Sequence, residues 1–297
     1  MVKAKKFVLI NQFSGFPKES DVEIQEEELP EIKDGEFLCE SLYISVDPYQ
    51  RAYPQKTGDV IMGSQVAKII ESKNPEYPVG KHVVGHYGWK THHILDNSPS
   101  RLGIPPKIIP DDLGVNLSHF LGVLGLTGLS AYFGFLKICR PKAGETVVIS
   151  AAAGAVGSIV GQLAKNRQCK ALKESAPEGV DIYFDNVGGE ISAIVLKHMK
   201  EYGRISVCGS ISSYNEKEEI RVPLVQRDMV SKQLKMEGFL IKQFVDYFSE
   251  GVYENARWLK QGKLKSKETI TKGFENTFQA FTNMLRGKNF GKALVEL

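Results

Sequence analysis

The run Thr146-Val-Val-Ile-Ser-Ala-Ala-Ala-Gly-Ala-Val-Gly-Ser158 is the segment whose residue types point most directly to chemistry. A β-branched apolar stretch passes into a small-residue turn, and a helical pattern begins at once near Gly154. Small side chains there let a diphosphate approach the backbone and the unpaired N–H groups of a helix start. The spacing Ala151-x-x-Gly154-x-x-Gly157 reads as a variant of the dinucleotide fingerprint, with Ala at its first position; tight helix–strand packing without a ligand would use the same residues. Two more glycine turns, Asp185-Asn-Val-Gly188-Gly189 and Cys208-Gly209-Ser-Ile-Ser-Ser-Tyr214, each follow a buried-strand pattern. Ligands of open parallel sheets bind beyond the carboxyl ends of the strands. Three such ends together favour a cofactor site over three unrelated turns.

A second kind of chemistry is offered by Val46-Asp-Pro-Tyr49. Pro48 restricts the chain, so the Tyr49 phenol is presented with little freedom. A phenol can donate a hydrogen bond to an oxygen that develops negative charge without being charged itself. The competing reading is a core tyrosine whose hydroxyl is satisfied internally. Asp47 and Arg51 flank it and read as a structural ion pair, and Tyr214 is a second candidate for the substrate side. Metal chemistry is not expected, because a zinc site needs three or four ligands at recognisable spacing. Cys39, Cys139, Cys169 and Cys208 are scattered and fit reduced thiols. On a strand His82 and His86 would stand roughly 13 Å apart, and His92-His93 reads as a loop doublet.

The elements that must position these groups are of two textures. Residues 1 to about 120 read as mostly β, with strands at Phe7–Ile10, Phe37–Ser45, Val66–Glu71 and His82–Val84 between Gly, Pro and Asn turns. From Leu121 the pattern changes: Leu121–Lys137 reads as helical, and Thr146–Ser150 as a strand buried on both faces. Strands at Val180–Asp185 and Gly203–Cys208, with a helix at about Glu190–Tyr202 between them, predict a doubly wound α/β domain. Amphipathic helices follow near Tyr253–Gln261 and Asn276–Arg286. The last segment, Gly291–Glu296, is a strand that could return to the N-terminal β domain.

The bulk numbers are those of an ordinary globular protein. The 297 residues are 42% hydrophobic and 25% charged, with a net charge of +3, enough for two packed domains. Lys and Arg are interleaved with acids, which argues against a nucleic-acid partner. The start of the chain has no apolar stretch of signal-peptide type, and no apolar run reaches the roughly 18 residues of a membrane span. A cytoplasmic location without membrane attachment is expected.

Ala152-Ala-Gly-Ala-Val-Gly157, Tyr183-Phe-Asp-Asn-Val-Gly-Gly189, Cys208-Gly-Ser-Ile-Ser-Ser-Tyr-Asn215, Val46–Tyr49 and Gly287-Lys-Asn-Phe-Gly-Lys292 together resemble the prostaglandin reductase 1 family, the zinc-independent medium-chain dehydrogenases/reductases that include leukotriene B4 12-hydroxydehydrogenase and NADP-dependent alkenal/one oxidoreductase. The resemblance covers almost the whole chain. It implies an α/β fold in which a GroES-like β-rich catalytic domain, residues 1–120 and 268–297, packs on a doubly wound Rossmann domain, residues 121–267. The implied reaction is hydride transfer from NADPH to the β-carbon of α,β-unsaturated ketones and aldehydes, 15-oxo-prostaglandins and alkenals among them, with leukotriene B4 oxidised at a hydroxyl. The implied cofactor residues are Ala152, Ala153, Gly154, Ala155, Val156, Gly157, Asn186, Cys208, Gly209, Ser210, Ile211, Ser212, Ser213, Tyr214, Phe239, Leu240, Ile241 and Asn289. The implied partner is a small lipid enone or enal, and homodimers are common in the family. One departure stands out: where relatives often carry a carbonyl-binding Tyr, eight residues before Phe239, this chain has Ser231. A quinone reductase of the same fold is a neighbouring reading, against which Val46–Tyr49 weighs.

The Rossmann domain is too short. Only 28 positions separate Gly157 from Asp185, where a complete unit needs two more strands and their helices. Relative to the family roughly thirty residues are absent after Lys170, and Ala171–Gly179 reads as the end of a later helix. The absent stretch would hold the residue that grips the adenosine ribose or its 2′-phosphate, so no residue of this chain distinguishes NADPH from NADH; Glu178, between Pro177 and Gly179, is a coincidental match. Loss of two strands would expose apolar sheet edge. The chain is then either a deletion form with impaired cofactor binding and no catalysis, or a working enzyme whose full-length form carries that stretch.

Overall fold

The computed structural model describes residues 2–171, 178–218 and 220–297. The chain divides into two compact units, Met1–Leu121 with Glu268–Leu297, and Gly122–Lys267.

The first unit opens with β1 (Lys3–Leu9), antiparallel to β2 (Val22–Glu28). There follow β3 (Phe37–Ser45), the short α1 (Tyr49–Ala52), β4 (Ser64–Ser72), β5 (His82–His86), β6 (His92–Leu95) and β7 (Lys107–Ile108). His92 and His93 are therefore not a loop doublet. They pair with Glu40 and Cys39 of β3, which gives their backbone groups ladder partners that the local sequence does not reveal.

The second unit begins with α2 (Leu126–Phe133), which runs on as a π-helical stretch over Gly134–Cys139. It continues through β8 (Thr146–Ile149), α3 (Ala155–Asn166), β9 (Lys170–Ala171), β10 (Val180–Asp185), α4 (Gly189–Lys197), β11 (Met199–Val207), α5 (Gln226–Ser231), β12 (Lys235–Gly238) and α6 (Phe248–Lys260). The parallel sheet has the order β12-β11-β10-β8-β9. Val180, Ile182, Tyr183 and Phe184 of β10 are all buried, as a strand covered on both faces requires. From α3, Ile159, Val160, Leu163 and Ala164 are buried along one stripe, the spacing of an amphipathic helix.

Two further expectations differ from the structure. The helix predicted to reach Tyr202 ends at Lys197, and β11 begins at Met199. Met199 is buried in one cluster with Leu196, Tyr183 and Ile205, so packing overrides the helical preference of the local sequence. Tyr202 takes a left-handed φ of 63°, and the β10–β11 register shifts between Val180 and Ile182. The second correction concerns the shortening. The spacing predicts loss of both further strands, yet Lys170 and Ala171 form β9 and pair with Thr146 and Val147. Of the sheet edge beyond β8, a two-residue stub remains. The helix end read in Ala171–Gly179 falls largely on 172–177, outside the described residues, and Glu178 stands exposed in a turn.

The chain then re-enters the first unit through β13 (Glu268–Lys272), α7 (Thr277–Leu285) and β14 (Lys292–Glu296). The sheet order is β13-β14-β3-β4-β5-β7, with β6 also on β3. Thus β14 returns to the N-terminal β structure, as its sequence suggests. Its Ala293 and Val295 share a core with Phe7, Ile44, Trp89, Phe274 and Phe281, each large side chain contributing roughly 1.5–3 kcal/mol by burial. Among the described residues no helix is long and apolar enough to cross a membrane.

Candidate functional site

In the second unit the chain leaves β8, crosses outward to β9, and comes back on the other side of β8 as β10. The carboxyl ends of β8 and β10 therefore flank the point where strand order reverses, the position at which doubly wound sheets hold ligands. The turn between β8 and α3 is unusually tight. Ala151 adopts φ 49°, and a Cβ on Gly157 would stand 2.3 Å from the Ala151 carbonyl oxygen and 2.9 Å from Ala152 Cα. Gly154 caps α3 in an extended conformation. Ala152 and Ala153 are exposed ahead of the first turn of the helix, leaving its N–H groups open to an anion.

The three strand-end turns are bound to one another. Asp185, 3% exposed, accepts from Ser150 Oγ at 3.0 Å, Tyr183 OH at 2.9 Å, Val187 N at 2.9 Å and Gly188 N at 3.0 Å, and also from Ser192 Oγ. Asn186 donates its backbone N–H to Ser150 Oγ and its amide to Ser150 O, both at 2.8 Å. Cys208 N and Gly209 N donate to Asp185 O, Ile211 N to Asn186 O, and Ser212 N to Val187 O. Within the last turn Ser210 N donates to Tyr214 OH at 3.1 Å, and the Ser210 and Ser213 hydroxyls lie 2.6 Å apart. Tyr214 thus spends its acceptor on its own turn.

The structure gathers Ala152–Gly157, Asn186 and Cys208–Tyr214 on one framework. Its hub, Asp185, belongs to no ligand-binding pattern of its own in the sequence. The available signal was a carboxylate closing an apolar buried strand, which must find donors. Burial and the nearby Asp185 push the Cys208 thiol up to about 12, so it stays protonated. After β12, Phe239 is buried against Phe184 and Phe244, while Leu240 is exposed and Ile241 partly so. Ser231 ends α5, exposed, its hydroxyl 3.5 Å from Asp228 O.

The first unit holds Tyr49 and Asn289. Pro48 (φ −59°, ψ −30°) precedes α1, whose first residue is Tyr49. The phenol lies 3.3 Å from His86 Nδ1, which is also 3.3 Å from Ser64 Oγ. Burial first, and then the charge of Asp47, hold the Tyr49 hydroxyl well above the usual phenol range, so it remains a proton-bearing donor. His86 is depressed to about 4, chiefly by burial, and is neutral beside it.

The flanking ion pair read from sequence is not formed. Asp47 is buried and takes Lys292 Nζ at 2.6 Å, whereas Arg51 donates through Nε and Nη2 to Gly15 O at 3.2 and 3.1 Å. The physical reason is that a buried carboxylate needs a buried counter-charge, and Lys292, 3% exposed, arrives from β14. Asn289 Nδ2 donates to Gly291 O at 2.8 Å, closing the turn that leads into that strand.

No group of three or more His, Cys, Asp or Glu among the described residues is placed to hold a metal ion. His93 Nε2 lies 2.8 Å from Ser41 Oγ inside the sheet, and Cys39 and Cys139 are buried singly. The residues present do not fit a zinc site.

A nucleotide-type parallel sheet joined to a β unit made from both chain ends defines a two-domain oxidoreductase. Residues 5–101 match the family model described as "N-terminal domain of oxidoreductase", and residues 160–295 match "Zinc-binding dehydrogenase". Prostaglandin reductase 1 of Bos taurus is 41% identical over 335 residues, covering all of both chains. The 2-alkenal reductase (NADP(+)-dependent) of Nicotiana tabacum is 34% identical, over 99% of this chain and 97% of that one. Among solved structures, CurA from Vibrio vulnificus in complex with NADPH superimposes with a TM-score of 0.89 at 31% identity, over 98% of each chain. The chain belongs to the zinc-independent medium-chain dehydrogenase/reductase family, with the prostaglandin reductases. Its alignment with the bovine protein spans 335 positions against 297 residues, so at least 38 of them (335 − 297) have no residue in this chain.

Proposed function

We propose that this protein reduces the C=C bond of α,β-unsaturated ketones and aldehydes with NADPH. The observation that carries the reading is the framework at the strand-order reversal, three small-residue turns locked by Asp185 around the exposed start of α3. A diphosphate would rest on Ala152, Ala153, Gly154, Ala155, Val156 and Gly157. Asn186, Cys208, Gly209, Ser210, Ile211, Ser212, Ser213, Tyr214, Phe239, Leu240, Ile241 and Asn289 are the further residues assigned to NADPH, with Phe239 acting by packing rather than contact. When bound, the cofactor supplies the hydride for the β-carbon. The names and NADPH complexes of relatives support this: NADPH-dependent curcumin reductase of Escherichia coli, the tobacco 2-alkenal reductase and CurA.

This chain's own contribution is a neutral donor. Tyr49, protonated and backed by His86 and Ser64, would hydrogen-bond the carbonyl oxygen as negative charge develops there, the preorganised stabilisation that lowers such barriers. Where relatives place a second tyrosine, this chain has the exposed Ser231, a shorter hydroxyl donor or none, so the carbonyl rests chiefly on Tyr49 in this reading. In this reading the carbonyl donor comes from residues 1–120, and every proposed cofactor residue but Asn289 from 121–267. A cytoplasmic enzyme acting on lipid enones, 15-oxo-prostaglandins or leukotriene B4 fits this reading. Loss of NADPH absorbance on mixing with a medium-chain enal tests it; a folded, intact chain that shows none, at any enone tried, refutes it.

The shortened sheet favours a second reading, in which the chain binds cofactor too weakly to turn over. β9 is two residues long, and the residues that would grip the adenosine end lie in the stretch the chain lacks. A ligand that binds only the folded state raises the melting temperature, so the absence of a thermal shift at saturating NADPH selects this reading. A homodimer is also proposed: β12 is an edge strand of the sheet, opposite the β9 edge, and Leu224 and Val230 are exposed nearby in sequence. Light scattering on the purified chain decides between one copy and two.

A further inference from the structure

The Gly287–Lys292 segment supplies only Asn289 to the proposed cofactor site, yet its last residue reaches the chain beside Tyr49. Lys292 Nζ donates to Asp47 Oδ1 at 2.6 Å and to Val46 O at 3.0 Å. Asp47 also receives Ser45 Oγ and donates its own N–H to Gln50 Oε1 at 2.8 Å. Gln50 in turn donates to Ser45 O at 3.2 Å and Met62 O at 2.7 Å. The bonds of Lys292, Ser45 and Gln50 to Val46 and Asp47 hold the segment that presents the phenol, and Gln50 ties it to Ser45 and Met62. We propose that Lys292, acting through Asp47, is the positioning residue for Tyr49 and His86: it holds the Tyr49 segment in place and offsets the Asp47 charge that both rings feel.

The two effects have one geometry. Asp47 precedes Tyr49 by two residues, and its negative charge opposes ionisation of the phenol and favours protonated His86. A cation 2.6 Å from that carboxylate quenches the field at short range. The other groups that face the pair are few. Ser64 of β4 and Tyr53 approach Tyr49, and Arg101 disfavours charge on His86. Glu268 of β13 stands opposite Lys292 in register, within 4.0 Å of His119 Nε2. None of these replaces Lys292 at Asp47.

The proposal rests on the reading of Tyr49 as the donor, and the test separates the two. Lys292→Met should lower kcat about tenfold with NADPH affinity unchanged, and move the acid limb of kcat/KM upward by about half a pH unit or more, because unpaired Asp47 favours protonated His86. Asp47→Asn should move the same limb down, and Asp47→Asn/Lys292→Met should bring it back near the starting value. A purely structural Lys292 would lower the melting temperature and leave the limb in place, which overturns the proposal. If Lys292→Met does not fold, Asp47→Asn alone decides: an unmoved limb overturns it. Titration of the His86 ring by NMR on the NADPH-free protein reads the same shift without turnover. Tyr49→Phe with undiminished kcat would remove the Tyr49 reading, while the NMR shift would still report on the clasp.

Discussion

Gly157 faces the Ala151 carbonyl so closely that a Cβ would lie 2.3 Å from its oxygen. The contact is backbone against backbone, so no rotamer change can relieve it. Gly157→Ala should therefore destabilise by about 1–3 kcal/mol, the usual cost of overpacking, and widen the turn proposed to hold the diphosphate. Urea unfolding and NADPH titration of one preparation check both effects; an Ala variant with unaltered stability would mean the turn relaxes freely.

Asp185 gathers donors from five groups while almost fully buried. Asp185→Asn keeps the shape: its oxygen can still take the four donors that bond Oδ1, while the N–H₂ replaces Oδ2 beside the Ser192 hydroxyl, and the charge is lost. The expected loss is about 1–3 kcal/mol, from bonds to a charged acceptor exchanged for weaker neutral ones. The KM for NADPH should rise more than kcat falls, since the residue shapes the turns and touches no reacting atom.

Tyr49→Phe removes the hydroxyl and little else. A reduction in kcat of about 10²-fold is expected from loss of a positioned donor, with NADPH affinity preserved. Because the phenol sits well above its ordinary range, the rate should show no alkaline limb at about pH 10. A limb there would assign the proton to a different group.

His86 and His93 give a dependence of stability on acid. Burial depresses them to about 4 and about 3 in the folded chain, against about 6.5 when unfolded. The folded state favours the neutral rings, so this stability is fully present above about pH 6.5 and is lost as pH falls toward the folded values. The urea midpoint should fall between pH 7 and pH 5, and His93→Gln should flatten that fall. Loss of stability on raising the pH through 7 would contradict the assignment.

Much of this was legible in the chain itself. Phe37–Ser45 and Val180–Asp185 could be bounded to the residue because each is an apolar run closed by turn formers or a carboxylate, and period and punctuation are local signals. The small-residue turns were legible for the same reason, since a backbone approach demands glycine where it occurs. Asp47–Lys292 was not, for its partners lie 245 residues apart and Arg51, nearer by, is the obvious choice. Met199–Tyr202 reads as helix and is strand because Met199 is claimed by the core. His92-His93 became strand through pairing with β3, a fact about β3 rather than about histidines.

The place of β14 between β13 and β3 has a consequence for how the protein is made. On a ribosome β3 emerges early, but its neighbour is encoded after the whole second unit, Gly122–Lys267. At about 5–20 residues per second, that interval lasts on the order of ten seconds. Through it Ile44, Trp89 and Phe7 await Phe274, Phe281 and Val295, while the second unit, contiguous in sequence, can close ahead of the first. Nascent chains arrested before β14 should thus present an unfilled apolar surface to chaperones, and release of the final thirty residues should extinguish that binding.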